Sequence, residues 1–278
     1  MITPEAISLP EPPTDGITGL EYLVPRSSDS NTLLASSSWD GIVRVHDTSE
    51  AKESQSAPTP SCLKVKHSMA SGPLLCLSTS SASDGNLYTG GLNGVIRCYN
   101  LATGTLSSIG QHVGNGSDNK VACSCIASVS RVGNPDLLIS AGWDARLHVW
   151  DVRSSSVKHI GSGGDSNAKP VATVTLPAKA YSLDIGKEKS ESICTVAVAT
   201  ANRRVCIVDL RMISSDGCQL AKASLVQDRE SSLKYQTRII RFFPDGTGMA
   251  LGSIEGRVAI EYLNEDDAQI GTKVWRSN

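Results

Sequence analysis

The eight cysteines are the side chains in this sequence best suited to metal or redox chemistry, because thiolates bind zinc and pair as disulfides. Cys123 and Cys125 would place two sulfurs on one face of a strand, but no second pair follows at zinc spacing. All eight are scattered, mostly inside apolar runs, at Cys62, Cys76, Cys98, Cys123, Cys125, Cys194, Cys206 and Cys218. We therefore expect reduced core residues and no bound metal.

The five histidines offer acid–base chemistry, but they are isolated from one another in the sequence. His46 and His148 are expected at equivalent strand positions, where they bond within or between blades and have a structural role. The sequence also lacks a phosphate-binding Gly-Lys-Ser/Thr loop, an H-E-x-x-H helix and a G-x-S-x-G elbow. These features predict a protein that is not an enzyme and needs no cofactor.

The composition excludes several other functions. A net charge of -2 provides no overall positive field that would attract nucleic acid or an anionic membrane. No run of about 18 apolar residues occurs, and no basic residue precedes an apolar stretch at the N-terminus. We expect an intracellular protein that binds neither membrane nor nucleic acid directly.

One sequence segment recurs five times, and this repeat predicts the β-strands that carry most of the cysteines and histidines. The copies span residues 36–47, 89–100, 140–151, 198–209 and 250–262. Each begins with small residues, passes through a turn such as Asp40-Gly41 or Asn93-Gly94, and ends in an alternating apolar run. A further strand-like run precedes each copy, so each unit has three or four strands, as in a propeller blade. A two-sheet sandwich would not explain the repeat.

The repeat predicts an all-β fold, a WD-repeat β-propeller forming a single domain over residues 1–278. Its blades are expected at about 15–47, 70–100, 120–151, 178–209 and 233–263. Mobile surface loops are expected at 49–61, 161–170 and 214–230, because their polar compositions do not favour packing. Little sequence follows Tyr262, and no later blade is available for residues 7–13 to complete. We therefore expect an open or incomplete ring.

Several strings give the repeat a family resemblance. Six strings are similar to those of the spindle-checkpoint family Bub-three. They are PPTDGITGL, SSSWDGIVRVHD, GWDARLHVWDVR, ATANRRVCIVDLRM, RESSLKYQTR and SIEGRVAIEYL. The mRNA-export propeller Rae-one is a sibling that shares the opening and the SIEGRVAI string. The resemblance extends from about residue 7 to 263 and implies five recognisable blades of a normally seven-bladed ring, truncated at the C-terminus.

The resemblance implies a scaffold of the mitotic spindle assembly checkpoint. Such propellers bind the glutamate-bearing GLEBS motif of a checkpoint kinase and its pseudokinase relative, and the phosphorylated MELT motifs of the kinetochore scaffold. Ubiquitin-binding proteins and components of the anaphase-promoting complex are further candidate partners. The implied location is the nucleus, with the kinetochore in mitosis, and the cytoplasm as a second site.

The resemblance also implies which side chains bind. Trp39, Trp143 and Arg238 would contact the GLEBS motif, and Arg257, with Lys234 and Arg276, would bind phosphothreonine. Tryptophan and arginine suit these roles, because large rigid anchors and forked hydrogen bonds to carboxylates dominate many interfaces. The alternative for both tryptophans is packing at blade corners.

Two other functions remain open at the level of sequence. The first is an mRNA-export or nuclear-pore propeller that binds a nucleoporin GLEBS motif. The second is a substrate receptor of a cullin ubiquitin ligase, because the strings at 150–153 and 209–211 are similar to the WDxR box of such receptors. The identity of the bound peptide or adaptor would distinguish the three.

Overall fold

The computed structural model describes most of the chain. The described ranges are residues 9–23, 32–48, 62–69, 72–80, 85–114, 119–129, 137–152, 158–159, 169–186, 193–215, 218–263 and 273–276. They form β-strands and one short 3-10 turn at Ala201–Arg203. Among the described residues, no helix is long and apolar enough to cross a membrane.

The strands form five antiparallel sheets, one per blade, numbered in chain order. Blade one contains β1 (Ile17–Tyr22), β2 (Leu33–Ser38), β3 (Ile42–Asp47) and β4 (Cys62–Ser68). Blade two contains β5 (Leu74–Thr79), β6 (Asn86–Gly91), β7 (Val95–Asn100), β8 (Thr105–Gln111) and the short β12 (Lys158–His159). Blade three contains β9 (Cys123–Val129), β10 (Leu137–Gly142), β11 (Arg146–Asp151) and β13 (Ala172–Thr175). Blade four contains β14 (Ala180–Gly186), β15 (Ile193–Thr200), β16 (Arg204–Ser215) and β17 (Cys218–Glu230). Blade five contains β18 (Thr237–Phe242), β19 (Gly248–Ser253), β20 (Arg257–Tyr262) and β21 (Lys273–Arg276).

The central hairpin of each blade forms where the repeat predicts it. The side chain of Asp40 accepts the backbone N–H of Ile42 at 3.0 Å, and Asn93 accepts that of Val95 at 3.1 Å. The glycine after each of these residues has positive φ, 78° at Gly41 and 77° in blade two, a conformation that glycine adopts without strain. Local turn chemistry therefore sets the hairpin positions.

The blades pack in chain order through their inner strands. Strand β1 lies against β5, β5 against β9, β9 against β14, and β14 against β18. Apolar residues fill the spaces between sheets, as where Ile139 and Leu147 of blade three meet Val198 of blade four. No packing of that extent joins β18 to β1 among the described residues. The predicted WD-repeat propeller with an open ring is confirmed.

One predicted loop is wrong. Most of the 214–230 segment is not a mobile connection, because Cys218–Glu230 form β17 and pair with β16 along their whole length. The backbone hydrogen bonds of an outer strand form whatever its side chains are, so a polar sequence does not prevent the strand. Residues 49–61 and most of 161–170 lie outside the described residues.

The structure describes the side chains of five of the eight cysteines, and two of these five differ from the prediction in geometry. Cys76, Cys98, Cys123, Cys125 and Cys206 are free thiols, and all except Cys98 are buried. A β-bulge between Ala141 and Gly142 turns Cys123 and Cys125 into different core clusters, so the expectation of one shared face is wrong. Burial raises the pKa of Cys125, which keeps this thiol protonated.

Candidate functional site

One face of the propeller collects the central turn of every blade and the start of every inner strand. Ile17 at the start of β1 pairs with Ser38 at the end of β2, and Thr237 of β18 pairs with Ser253 of β19. The β2–β3 and β19–β20 turns follow immediately. We call this surface the turn face.

Each turn begins with a residue that we call a corner residue, and all five are anchored in the same way. The backbone N–H of the corner residue donates to the carbonyl of a residue just before the inner strand of its own blade. The donor and acceptor pairs are Trp39 with Gly16, Leu92 with Pro73, Trp143 with Ala122, Ala201 with Lys179, and Ile254 with Gln236, at 2.8 to 3.1 Å. The five corners are therefore structurally equivalent.

Four of the corner side chains are large, apolar and exposed. Trp39 is 47% exposed, Leu92 39%, Trp143 37% and Ile254 64%. The ammonium of Lys179 lies 5.8 Å from the centroid of the Trp143 ring, within the range of a cation–π contact. The two tryptophans predicted to bind a peptide therefore both present ring surface to solvent at the turn face.

The mouth of the central channel opens on this face and contains Arg238. A cavity of about 290 Å³ is lined by the inner strands of all five blades. The Arg238 guanidinium stacks 4.7 Å from the ring centroid of Tyr181 on β14. It makes no ion pair with any described residue. An exposed arginine whose guanidinium lies over an aromatic ring can still fork hydrogen bonds onto a carboxylate.

The remaining channel charges are already engaged. Glu21 accepts the backbone N–H of Thr79 at 2.7 Å, and burial raises the pKa of this carboxyl above its usual value. Arg241 donates to the carbonyl of Ile240 at 2.9 Å. Arg238 is therefore the arginine of the mouth that can receive an external anion.

Blade five carries the residues predicted to bind phosphate. Arg257 lies at the turn-face end of β20, with its Nε 3.6 Å from a carboxylate oxygen of Glu255. Arg276 is the direct cross-strand partner of Arg257 in the β20–β21 ladder. Lys234 is exposed, and its ammonium lies 5.8 Å from the ring centroid of Tyr235. The structure thus brings Arg257 and the backbone of Arg276 together.

Two neighbouring arginines serve the fold. Arg203 donates to the carbonyl oxygens of Leu233 and Lys234 and pairs with Glu230. Arg204 pairs with Asp228 at 2.8 Å. Because their donors are used inside the protein, these two side chains are poor candidates for ligand binding.

A buried polar network joins blades two and three below the turn face. Trp150 donates its indole N–H to Ser140 Oγ at 2.9 Å, and Ser140 Oγ lies 2.8 Å from His112 Nε2. His112 Nδ1 lies 3.0 Å from both carboxylate oxygens of Asp144. His148 Nε2 lies 3.6 Å from the same carboxylate. Histidines that are isolated in the sequence meet in the fold, because strands distant in sequence bring the rings of His112 and His148 to a centroid distance of 4.7 Å.

Burial and hydrogen bonds in this network shift the pKa values of His112 and Asp144. Burial lowers the pKa of His112, which keeps the ring neutral with one nitrogen donating and the other accepting. Burial alone would raise the pKa of Asp144, but hydrogen bonds from His112 and His148 hold it well below its usual value. His112, Asp144 and His148 are close enough to surround a metal ion. Their ring nitrogens and carboxylate are already paired, however, which favours a structural role.

In blade one, an arginine–aspartate pair occupies the position that the His148–Asp144 pair occupies in blade three. Arg44 lies four residues after Asp40 and donates to it at 2.9 Å, as His148 faces Asp144. In the strand ladders Arg44 stands opposite Ser36, and His148 stands opposite Ser140. The predicted equivalence of His46 and His148 is therefore wrong. His46 instead bonds to the carbonyl of Pro10 at 3.0 Å.

The tryptophan of the proposed ligase-receptor string is not available at the surface. Trp150 is 2% exposed and packs against Gly110, where an added Cβ would lie 2.2 Å from the ring. Arg153 lies outside the described residues. The structure therefore offers no support for the cullin alternative from this string.

Several residues of the turn face were missed at the level of sequence. Tyr181 and Lys179 lie in a strand start with no motif, and Leu92 occupies a corner that is Trp in two other blades. Aligning the five repeats at the turn would have found Leu92 and Ile254. The stacking of Tyr181 on Arg238 joins two blades and has no local signal.

The comparisons with known proteins agree with the fold. The family profile described as "WD domain, G-beta repeat" matches residues 7–47. BUB3.1 of Arabidopsis thaliana, a "Mitotic checkpoint protein", is 32% identical over 96% of this chain and 64% of its own length. The Caenorhabditis elegans "Mitotic checkpoint protein bub-3" is 27% identical over 96% of the chain and 64% of its own length.

An export protein matches to a similar extent. The Schizosaccharomyces pombe "Poly(A)+ RNA export protein" is 28% identical over 94% of the chain and 60% of its own length. The chain thus spans 60 to 64% of the length of these three relatives. The chain therefore has the fold of an open WD-repeat propeller, and nearly its whole length is similar to mitotic checkpoint proteins and to an RNA-export protein.

Proposed function

We propose that this chain is a non-catalytic scaffold of the mitotic spindle assembly checkpoint. Its turn face would bind the glutamate-bearing GLEBS motif of a checkpoint kinase and of the related pseudokinase. The observation that carries this proposal is Arg238, stacked on Tyr181 at the channel mouth and free of ion pairs among the described residues. A carboxylate of the motif would supply the missing partner.

Trp39 and Trp143 would anchor the same peptide. Both are exposed at equivalent corners on the face that contains Arg238. Exposed aromatic rings on the same face as an exposed arginine match the composition of interface hot spots, which are enriched in tryptophan, tyrosine and arginine. Protein binding of this kind needs no cofactor, and the proposed location follows the partners to the nucleus and the kinetochore, with the cytoplasm as a second site.

Titration calorimetry with a GLEBS peptide tests the proposal. We expect Arg238→Ala and Trp39→Ala each to weaken binding by about 30- to 100-fold, because each removes a central anchor. Lys64→Ala is the matched control, since it removes one positive charge from a half-exposed side chain on the outer strand β4. Absence of binding by the folded wild-type chain, or equal losses in all three variants, would contradict the proposal.

A second site on blade five would bind phosphothreonine in the MELT motifs of the kinetochore scaffold. Arg276 is the cross-strand backbone partner of Arg257 in the β20–β21 ladder, so the two arginines are neighbours in blade five. Lys234, which is exposed before β18, would add positive potential. A phosphate carries close to two negative charges and suits such a cluster.

Phosphopeptide titration separates this second site from the first. We expect Arg257→Ala to weaken binding of a phosphorylated MELT peptide by about tenfold while GLEBS binding is unchanged. Glu255→Gln should strengthen phosphopeptide binding, because Glu255 competes for Arg257 at 3.6 Å. Equal binding of the unphosphorylated peptide would contradict a phosphate site.

An mRNA-export role is the second candidate function. The similarity to the Schizosaccharomyces pombe export protein, 28% over 94% of the chain, supports it as directly as the similarity to checkpoint proteins supports the first. Both functions would use the turn face and a GLEBS motif. Competition between the nucleoporin peptide and the kinase peptide would show which is preferred, and binding to neither would exclude both.

A further inference from the structure

The corner of blade two holds a third exposed apolar side chain between the two tryptophans. Leu92 donates its backbone N–H to Pro73 at 2.9 Å, the distance at which Trp39 donates to Gly16 and Trp143 to Ala122. Its side chain is 39% exposed, between the values of 47% for Trp39 and 37% for Trp143. Three consecutive blades therefore present an unbroken row of apolar corners.

The fold itself does not require an apolar residue at this corner. Asn93 and Gly94 form the turn, with the Asn93 side chain accepting the N–H of Val95 at 3.1 Å and Gly94 at a φ of 77°. The backbone of Leu92 is satisfied whatever its side chain is. A polar residue would meet every local requirement and would be better solvated, so the fold itself does not require the leucine, and its place in a row with two exposed tryptophans is the feature to explain.

The row ends at blade four, where the character of the face changes. The corner residue there is Ala201, followed by Asn202 and Arg203 in the turn. Beside this gap lie Lys179, next to the Trp143 ring, and Arg238 on Tyr181 at the channel mouth. The consecutive large apolar corners of blades one to three are thus followed by cationic side chains between blades three and five, and Ile254 forms a separate apolar corner on blade five.

We propose that Leu92 is a third apolar anchor, between Trp39 and Trp143, for a peptide that joins an apolar segment to an acidic one. The apolar segment lies over the corners of blades one to three, and the acidic segment lies over Lys179 and Arg238. This inference rests on the proposed function and adds the order of the two segments. A peptide with acidic residues alone would engage Arg238 and leave the row uncovered.

The test uses the full chain and the GLEBS peptide. We expect Leu92→Ala to weaken binding by about tenfold and Leu92→Asp by more, because a charge would be placed under an apolar segment. The control is Val226→Ala on the outer strand β17, which truncates an apolar side chain that is 57% exposed and lies away from the row. This control should leave the affinity unchanged.

The salt dependence of peptide binding distinguishes the apolar corners from the cationic side chains of the turn face. Binding by Arg238→Ala should depend less on ionic strength than wild-type binding, because one ion pair is lost. Leu92→Ala, which changes no charge, should keep the wild-type salt dependence. Wild-type binding that Leu92→Ala leaves intact would overturn the role of Leu92 alone, whereas no wild-type binding would overturn the proposed function as well.

Discussion

Replacing Asp144 with alanine is expected to lower the free energy of unfolding by about 3 to 5 kcal/mol. The carboxylate is fully buried and lies 3.0 Å from His112 Nδ1 and 3.6 Å from His148 Nε2. It also accepts the backbone N–H of Arg146 at 3.2 Å. Without it, a buried imidazole donor and the turn lose their acceptor, and the contact between blades two and three loosens.

Urea unfolding followed by tryptophan fluorescence measures this change, since Trp150 belongs to the same network. Asp144→Asn should be milder, because the amide oxygen still accepts one hydrogen bond. The control is Asp245→Ala, which removes an exposed carboxylate whose pKa is also lowered, by hydrogen bonds from Thr247. Equal effects of Asp144→Ala and Asp245→Ala would refute the structural role of the network.

The network also sets a direction for the pH dependence of stability. The pKa of His112 is lower in the folded protein than in the unfolded chain, so the unfolded chain binds its proton first as the pH falls below about 6.5. The pKa of Asp144 is also lowered on folding, so its stabilisation is lost below about pH 4. Both effects make the protein less stable in acid. His112→Gln should remove the first effect, and Asp144→Asn the second.

Much of the fold could be predicted from the sequence because its signals are local. Each central hairpin is encoded in about a dozen residues by a short polar turn, such as Asp40-Gly41 or Asn93-Gly94, and an alternating apolar run. The exposure of Trp39 and Trp143 follows from the same turn position. The outer strand β17 escaped prediction because an edge strand with polar side chains does not show a clear apolar alternation.

The contacts that build the turn face are not local, and this is why they were missed. His112 meets Asp144 across 32 residues and a blade boundary. Tyr181 on β14 and Arg238 on β18 meet only because blades four and five pack side by side. A single sequence shows residue types but not which blades are neighbours at the channel mouth. The resemblance to a family pointed to Arg238, whereas its positioning by Tyr181 required the structure.

Blade one buries an arginine where blade three buries a histidine, and this difference leads to a second prediction about stability. Arg44 is 2% exposed and Asp40 7% exposed, and their side chains meet at 2.9 Å. The Nε and Nη1 atoms of Arg44 have no hydrogen-bond partner among the described residues. Asp40 is thus the residue that neutralises this guanidinium, whose charge would otherwise be buried uncompensated.

Asp40→Asn is expected to destabilise the chain by about 3 to 5 kcal/mol, because breaking a buried pair leaves a charge without a counterion. Asparagine keeps the acceptor for the N–H of Ile42, so the turn is preserved, and the variant loses the charge together with the Oδ2 acceptor that Thr14 uses. The double variant Asp40→Asn with Arg44→Met should recover most of this loss, since it removes both charges and keeps the volume.

The partly exposed pair of Arg204 and Asp228 on blade four is the control for this cycle, and Asp228→Asn should leave the unfolding curve nearly unchanged. A double variant as unstable as the sum of its two single variants would show that Asp40 and Arg44 do not act as a pair. A recovered double variant would show instead that the ion pair itself adds little net stability. Asp40 would then be needed mainly because Arg44 is buried beside it, as Asp144 is needed beside His112.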